Sequence, residues 1–453
     1  MTESLRNADV CIVGAGVAGL MAADSLKKSG LSVDIFEAQE QVGGRVKDTN
    51  FDDNFMLELG ANWFSEQQPL IKEQIKRFDL ETVKTHNEGE HLIWWNEVRS
   101  SFSGTLPSLG SFWLNADIIQ GMARFERITA RLKNIEPWDK IFIKYDHLSF
   151  GQWIDRTLFT ETGKQFFRMV SEMVFGVESY LVSFLYVQYY ASRSVSLTSL
   201  ISVEEGHQGL RFKHGPSQLC DKLASSIGLN KIHLNTPVRS IKVSKSFVDV
   251  DAECMRGRYR AVVCAIPPPA AKQILFSPPK SIARNRLLQS LPMGRVIKVQ
   301  AVYEKPFWLE QGLSGQVMTN QYPLSYTIDN SPADRQKGVL AGFIGTSHAQ
   351  DFMAEGTKQE ELVAEAIDRM FGSRFPKPQK VHIEDWAENE WIGGSYGAYF
   401  PPGVMSRIGQ VLREQEPPVY WCGAEYAKTH PCQIEGALES GLRAAKQIIT
   451  ALT

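Results

Sequence analysis

The run Gly14-Ala15-Gly16-Val17-Ala18-Gly19 constrains this chain more than any other stretch. It follows a short apolar, β-rich run at residues 8–13 and opens a helical pattern over 20–28 that stops at Ser29-Gly30. A second strand at 32–36 then ends at Glu37. A strand, a G-x-G-x-x-G turn, a helix and a strand make a βαβ unit in which each glycine answers a steric demand. Gly14 permits the turn, Gly16 lets a pyrophosphate approach the backbone, and Gly19 lets helix and strand pack, while the helix N-terminus supplies oriented N–H donors. Glu37, 23 residues past Gly14, is placed to accept hydrogen bonds from the ribose hydroxyls of an adenosine. A glycine-rich turn alone is weak evidence; with both strands and the acid present, the unit predicts a dinucleotide site on a parallel α/β sheet.

The 453 residues suffice for two or three domains' worth of core. Lys plus Arg (49) against Asp plus Glu (51) gives a net charge of -2, so no global field holds a nucleic acid or an anionic membrane. The six cysteines (Cys11, Cys220, Cys254, Cys264, Cys422, Cys432) include no C-x-x-C pair, and the nine histidines form no zinc-type cluster, so reduced thiols and no metal are expected. The first residues run into a strand without a basic-then-apolar leader, and no apolar run approaches the roughly eighteen residues of a spanning helix. The expected protein is soluble and cytoplasmic, with a homodimer left open.

Val42-Gly43-Gly44-Arg45 follows Glu37 closely, suggesting a second backbone approach to the phosphates with Arg45 as counter-charge. Residues 37–45, followed by Glu58-Leu59-Gly60-Ala61-Asn62-Trp63, resemble the FAD-binding N-terminus of the flavin amine oxidase family. That resemblance implies FAD in place of a nicotinamide. Residues 69–202 read as a helix-rich insertion with helices over 116–133 and 160–177; 231–250 and 258–265 read as strands closed by Pro267-Pro268-Pro269, and a mixed region follows to about 389. The last segment is a strand, a loop and an amphipathic helix. The N-terminus of that helix, near Gln433 and Ile434, can aim its positive end where a flavin collects negative charge on reduction.

Within the family the likeness is to the monoamine oxidases. Gly206-His207-Gln208 with Arg211-Phe212, Pro292 to Lys298, Lys305-Pro306-Phe307-Trp308, Gly393-Gly394-Ser395-Tyr396 and Tyr399-Phe400-Pro401-Pro402-Gly403 stand in the same order at similar spacing. The resemblance implies a p-hydroxybenzoate-hydroxylase-like α/β architecture. In it a Rossmann-type FAD domain is assembled from 1–66, 205–289 and 390–453, and an α+β substrate domain from 67–204 and 290–389.

It also implies a site. Lys298 matches the lysine that holds a water against the flavin and assists the oxygen half-reaction; a cation among Val296, Ile297 and Val299 is costly without a role or a partner. Tyr396 matches one of two tyrosines flanking the substrate amine, and Gln433 occupies the position of the other. A glutamine offers a donor and an acceptor, which suits a polar or acylated group. Ser395 stands where the monoamine oxidases carry the cysteine that bonds FAD, so non-covalent FAD is expected. Ile201 and Gln208 match substrate-cavity positions, and Trp386 matches a tryptophan near the flavin. Val238, Glu425 and Ile434 join Gly44, Ala61, Asn62 and Trp63 as cofactor contacts. The aromatic stretch 184–190, Tyr189 included, lines or supports the cavity. Cys432 reads as an inert buried thiol, and His430 is given no role.

The implied activity is oxidation of a substrate C–N bond to an imine, with hydride transfer to the flavin and hydrogen peroxide made from oxygen. One alternative is a biosynthetic oxidase of an acylated amine in a larger metabolite. An L-amino acid oxidase would want an arginine for the carboxylate, and residues 60–69 (GANWFSEQQP) have none. A non-catalytic protein like the GDP-dissociation inhibitors, which share the fold, would not need Lys298, Arg45 and the C-terminal flavin-closing motif.

Overall fold

The computed structural model describes residues 6–52, 55–105, 107, 111–133, 135–204, 206–253, 255–372 and 375–453. Cys254 and the first five residues, where a leader would begin, lie outside the described residues.

The glycine run sits at the end of a five-stranded sheet in the spatial order 232–233, 33–36, 10–13, 261–264, 419–421. Every neighbouring pair is parallel. The strands Val10–Val13, Val33–Phe36 and Ala261–Cys264 are buried along their whole length, as a parallel sheet covered on both faces requires. Their alternation sorts the side chains into two cores. Val10, Ile12, Val33, Ile35, Ala261 and Val263 pack with the helices Val17–Lys28, Ser217–Ile227 and Ile434–Leu452. Cys11, Val13, Phe36, Val262, Cys264 and Trp421 face Val238, Ile241, Val248 and Val250 of a second five-stranded sheet. The first helix starts at Val17, inside the glycine run, because Gly16 takes extended angles as its cap; it ends at Ser29 before Gly30 (φ +91°). A Cβ on Gly441 would stand 2.3 Å from the Ala18 carbonyl oxygen, so glycine there lets the first and last helices cross closely.

The other large sheet has seven strands in the order 380–385, 297–303, 338–344, 326–329, 313–319, 90–95, 98–102. Within the helix-rich segment 69–202 stands one hairpin the sequence reading did not give, Glu90–Trp95 with Val98–Phe102. Its partner is the distant strand Leu313–Thr319, so the pairing leaves no local signal. Helix Phe112–Leu132 starts earlier than expected because Ser111 Oγ accepts from Leu114 N–H at its N-cap. The helix expected over 160–177 is Glu161–Val170 continued by a π-helical turn, Ser171–Phe175, and closed by Gly176 (φ +69°). Helix Pro69–Phe78 leans on the dinucleotide unit. Arg77 donates to both Asp24 carboxylate oxygens (2.7 and 2.8 Å), and Glu435 accepts from the backbone of Leu70 and Ile71 (3.0 and 2.9 Å).

Among the described residues no helix is long and apolar enough to cross a membrane, the five cysteines are free, and no cluster of His, Cys, Asp or Glu has the makings of a metal site.

Candidate active site

A cavity, open at its mouth, runs from the glycine turn past strand Ile297–Tyr303 to the helix-rich region. Of the site residues read from the sequence, all but two line it: Gly14, Gly16, Glu37, Gly44, Arg45, Ala61, Asn62, Trp63, Ile201, Gln208, Val238, Lys298, Trp386, Tyr396, Glu425, Gln433 and Ile434. Gly19 stands behind the turn. A Cβ there would come 2.0 Å from the Gly14 carbonyl oxygen, so its role is the packing of helix on strand.

Tyr189 is the other exception. Its hydroxyl donates to the Ala427 carbonyl (3.4 Å) and pairs with Arg413, away from the cavity. Tyr190 faces the cavity instead. Every residue from Phe184 to Ser192 is buried, so helix Phe184–Arg193 shows no polar face from which to read its phase.

The dinucleotide end fits its ligand. A Cβ on Gly16 would meet nothing closer than the Gly43 oxygen at 4.0 Å, so the turn leaves open space where a phosphate would lie, and Gly44 (φ +61°) crosses beside it. Gly16 gives the first helix no side-chain cap, and Gln433 gives none to helix Ile434–Leu452. Both helix starts therefore present first-turn N–H donors at the same cavity. Glu37 is 5% exposed and accepts from Ala15 N–H (2.5 Å) and Gln39 N–H (2.9 Å), which ties the strand end to the glycine turn. Burial raises its carboxyl above the ordinary value.

Arg45 is engaged more deeply than its reading as a phosphate counter-charge implied. Its guanidinium grips Glu425 bidentately (2.7 and 3.0 Å) and donates to the Tyr396 carbonyl (2.7 Å). Burial pushes the Glu425 carboxyl up, but Arg45 outweighs it and holds the group below the ordinary carboxylate value. The pair joins three distant segments into one neutral wall.

Lys298 lies on a central strand buried at every position, flanked by Phe343 and Glu384 on the neighbouring strands. Its ammonium donates to the Gly60 carbonyl (3.0 Å) and Asn62 Oδ1 (3.1 Å) and stands 4.8 Å from the centre of the Trp63 ring. Burial lowers its pKa to about 8, with Glu58 and Asp48 pulling the other way.

On the helical side, Ser395 Oγ accepts from Val296 N–H (3.0 Å) and donates to the Val296 carbonyl (2.9 Å). The Tyr396 phenol is kept neutral by burial. Gln433 accepts from Gln68 Nε2 (2.7 Å) and donates to Ser194 Oγ (3.0 Å), so the donor and acceptor expected to serve a ligand are already partly engaged by the protein. Beside it, the His207 and His430 rings meet edge to face at 5.3 Å. Burial drives their pKa values to about 3 and about 4, so both are neutral near pH 7. His207 lines the cavity with neither ring nitrogen partnered. His207 stands in the Gly206-His207-Gln208 motif, which does not by itself point to a site role for the ring, and the helical spacing of Met169 and Met173 is that of ordinary core residues.

A family model for flavin-containing amine oxidoreductases matches residues 17–449. A probable flavin-containing monoamine oxidase A of Dictyostelium discoideum is 29% identical over 445 residues, 97% of each chain. The flavin-containing amine oxidase B of Sus scrofa is 31% identical over 455 residues, covering 98% of this chain and 86% of its own. Among solved structures, wild-type putrescine oxidase bound to putrescine superposes with a TM-score of 0.93 at 27% identity, covering 98% of this chain and 99% of that one. Cyclohexylamine oxidase from Brevibacterium oxydans IH-35A superposes at 0.94, again with 27% identity, 98% of this chain and 99% of that one. The architecture, the cavity and these likenesses agree: the chain belongs to the flavin-containing amine oxidoreductase family and is an oxidoreductase acting on CH–NH groups.

Proposed function

We propose that this enzyme oxidises the C–N bond of a monoamine with an apolar body, using FAD held without a covalent bond. The observation that carries this reading is the meeting of buried Lys298, Tyr396 and two uncapped helix N-termini on one largely apolar cavity. When bound, FAD supplies the two-electron chemistry, taking a hydride equivalent from the substrate carbon and passing electrons to oxygen, so that the products are an imine and hydrogen peroxide.

The chain's part is position and electrostatics. Gly14, Gly16 and Gly44 with the first helix hold the pyrophosphate, Glu37 the ribose, and Ala61, Asn62, Trp63, Val238, Trp386, Glu425 and Ile434 the remaining contacts. Tyr396 and Tyr190 wall the amine and keep water from it. Lys298 Nζ holds a water and a positive charge where oxygen is reduced. In this reading 1–66, 205–289 and 390–453 form the cofactor domain, and 67–204 and 290–389 form the substrate domain.

Charge bookkeeping supports a monoamine. Among the described cavity residues, Glu37 and Glu425 are spent on Ala15, Gln39 and Arg45, which leaves a second ammonium without a carboxylate. Arg45 is committed to Glu425 and Arg239 to Glu253, which leaves a substrate carboxylate without an arginine. Peroxide release should therefore be fastest with benzylamine or cyclohexylamine and at least tenfold slower in kcat/KM with putrescine or L-phenylalanine. The opposite ranking overturns the assignment. His207 favours a second reading, oxidation of an acylated amine, because a neutral imidazole suits an amide group. N-acetylputrescine turned over faster than benzylamine would select it.

Non-covalent attachment rests on Ser395, a hydroxyl already bonded to Val296, and on Cys432, whose thiol burial pushes up to about 12 and so keeps un-ionised. Acid precipitation of the yellow holoenzyme should leave the colour in the supernatant. Colour retained in the pellet would show a covalent bond.

A further inference from the structure

We propose that Glu58 is a positioning residue for Lys298, acting through Asn62, so that a buried Glu58–Asn62–Lys298 chain orients and charges the ammonium from behind the cavity. The proposal rests on the reading of Lys298 as the group that serves the oxygen half-reaction.

The chain is complete and sealed. Glu58, Asn62, Arg211 and Lys298 are 5%, 1%, 5% and 7% exposed. Asn62 Nδ2 donates to Glu58 Oε2 at 2.7 Å, and Asn62 Oδ1 accepts from Lys298 Nζ at 3.1 Å. The two partners fix the amide's orientation, since only its oxygen can face an ammonium and only its nitrogen a carboxylate. Asn62 thus hands the direction of the Glu58 charge on to Lys298. Arg211 holds the far side: it donates to Glu58 Oε2 (3.3 Å), Asn330 Oδ1 (2.9 Å) and the carbonyls of Asn330 (3.1 Å) and Ser331 (2.6 Å). Gly60 accepts a second Lys298 hydrogen at 3.0 Å. An ammonium has three donors; with two committed to Gly60 and Asn62, the third is left for the cavity that Lys298 lines.

The charges facing Lys298 come from four strands. Glu58 and Asp48 stand on the two arms of the hairpin Asp48–Asp52 and Phe55–Glu58, Arg211 on Leu210–Phe212, and Glu384 on Lys380–Asp385, where it also pairs with Lys47 at 3.2 Å. Burial favours loss of the lysine's proton; Glu58 opposes this most among the charges, Asp48 and Glu384 add to it, and Arg211 works against it. Glu58 and Arg211 do not line the cavity. Their influence passes through Lys298.

The test is the pH dependence of reoxidation in the FAD-loaded holoenzyme, reduced anaerobically with benzylamine and mixed with oxygen. Negative charge develops as oxygen takes up electrons, so the ammonium form is the active one and the rate falls as pH rises through the lysine's titration. Glu58→Gln should move that alkaline limb about one unit to lower pH. Arg211→Gln should move it in the opposite direction, and Glu58→Asp should restore it. Opposite signs cannot come from loosened packing, and either variant suffices if the other fails to fold. Limbs that stay in place in both variants, or a loss in reduction and reoxidation alike without a shift, would overturn the proposal. Lys298→Met separates the two levels. If it leaves reoxidation untouched, the reading of Lys298 itself fails; if it slows reoxidation while Glu58→Gln shifts nothing, only the positioning role of Glu58 fails.

Discussion

Lys298→Met is expected to slow reoxidation of the reduced holoenzyme about 10²- to 10³-fold, the usual cost of deleting one preorganised charge at a reacting oxygen, while changing FAD affinity little. The expectation follows from what the side chain does and does not contact. Its ammonium is bonded to Gly60 and Asn62 and lines the cavity, whereas its backbone is locked between Phe343 and Glu384. Methionine fills similar volume on a strand that is buried throughout, so the sheet has no reason to move. Stability should not suffer near pH 7. Burial lowers the folded pKa from 10.5 to about 8, so between those values the unfolded chain binds more protons. Stability from this group therefore rises with pH across that window, and below it the buried ammonium is a burden that methionine removes. Stopped-flow mixing of reduced enzyme with oxygen decides the matter. Wild-type reoxidation should decline through pH 8, the variant should be slow and flat, and an unchanged rate would remove Lys298 from the site.

What could be read from the chain before folding was whatever short-range sterics or cost imposes. Gly14, Gly16, Gly19 and Glu37 were legible because a tight turn, an open backbone, a close packing and an acid must fall at fixed spacing within one βαβ unit, and each is found in its place or behind it. Lys298 was legible because an ammonium among Val296, Ile297 and Val299 demands an explanation. The hairpin 90–102 was not, since the strand that stabilises it lies far along the chain. Which tyrosine of the stretch 184–190 faces the cavity, Tyr190 and not Tyr189, is not legible, because a helix buried on every side has no amphipathic phase. Gln433 lines the cavity, but Gln68 and Ser194, which hold its amide, come from segments with no sequence relation to it. Tertiary partners of this kind decide which polar atoms remain for a ligand, and the Arg45–Glu425 pair is the strongest case.

Arg45→Ala is expected to destabilise the ligand-free protein by about 3–5 kcal/mol, because it strands a charge that folding has already taken out of water. Glu425 has a side chain only 3% exposed, and apart from Arg45 only backbone N–H groups, Ala398 at 3.3 Å among them, are seen to donate to it among the described residues. Without the guanidinium, that carboxylate must stay charged in an apolar wall or take up a proton. The Tyr396 carbonyl loses its donor as well, so the aromatic wall of the amine site should loosen together with the fold. The pH dependence follows from the sign of the shift. Arg45 holds Glu425 below the ordinary carboxylate value, so its stabilisation is present above the unfolded-state pKa and is lost as pH falls through the folded one. The gap between wild type and Arg45→Ala should therefore narrow under acid conditions. Arg45→Met combined with Glu425→Leu removes both charges and keeps volume. It should recover much of the stability yet bind FAD poorly, since the desolvation of a buried pair largely offsets its attraction. Urea unfolding of the three proteins at neutral and acid pH measures the stabilities, and titration of the double variant with FAD measures its binding. A single variant no less stable than the double one would mean that Glu425 finds another partner or water, and that the pair does not hold the three segments together.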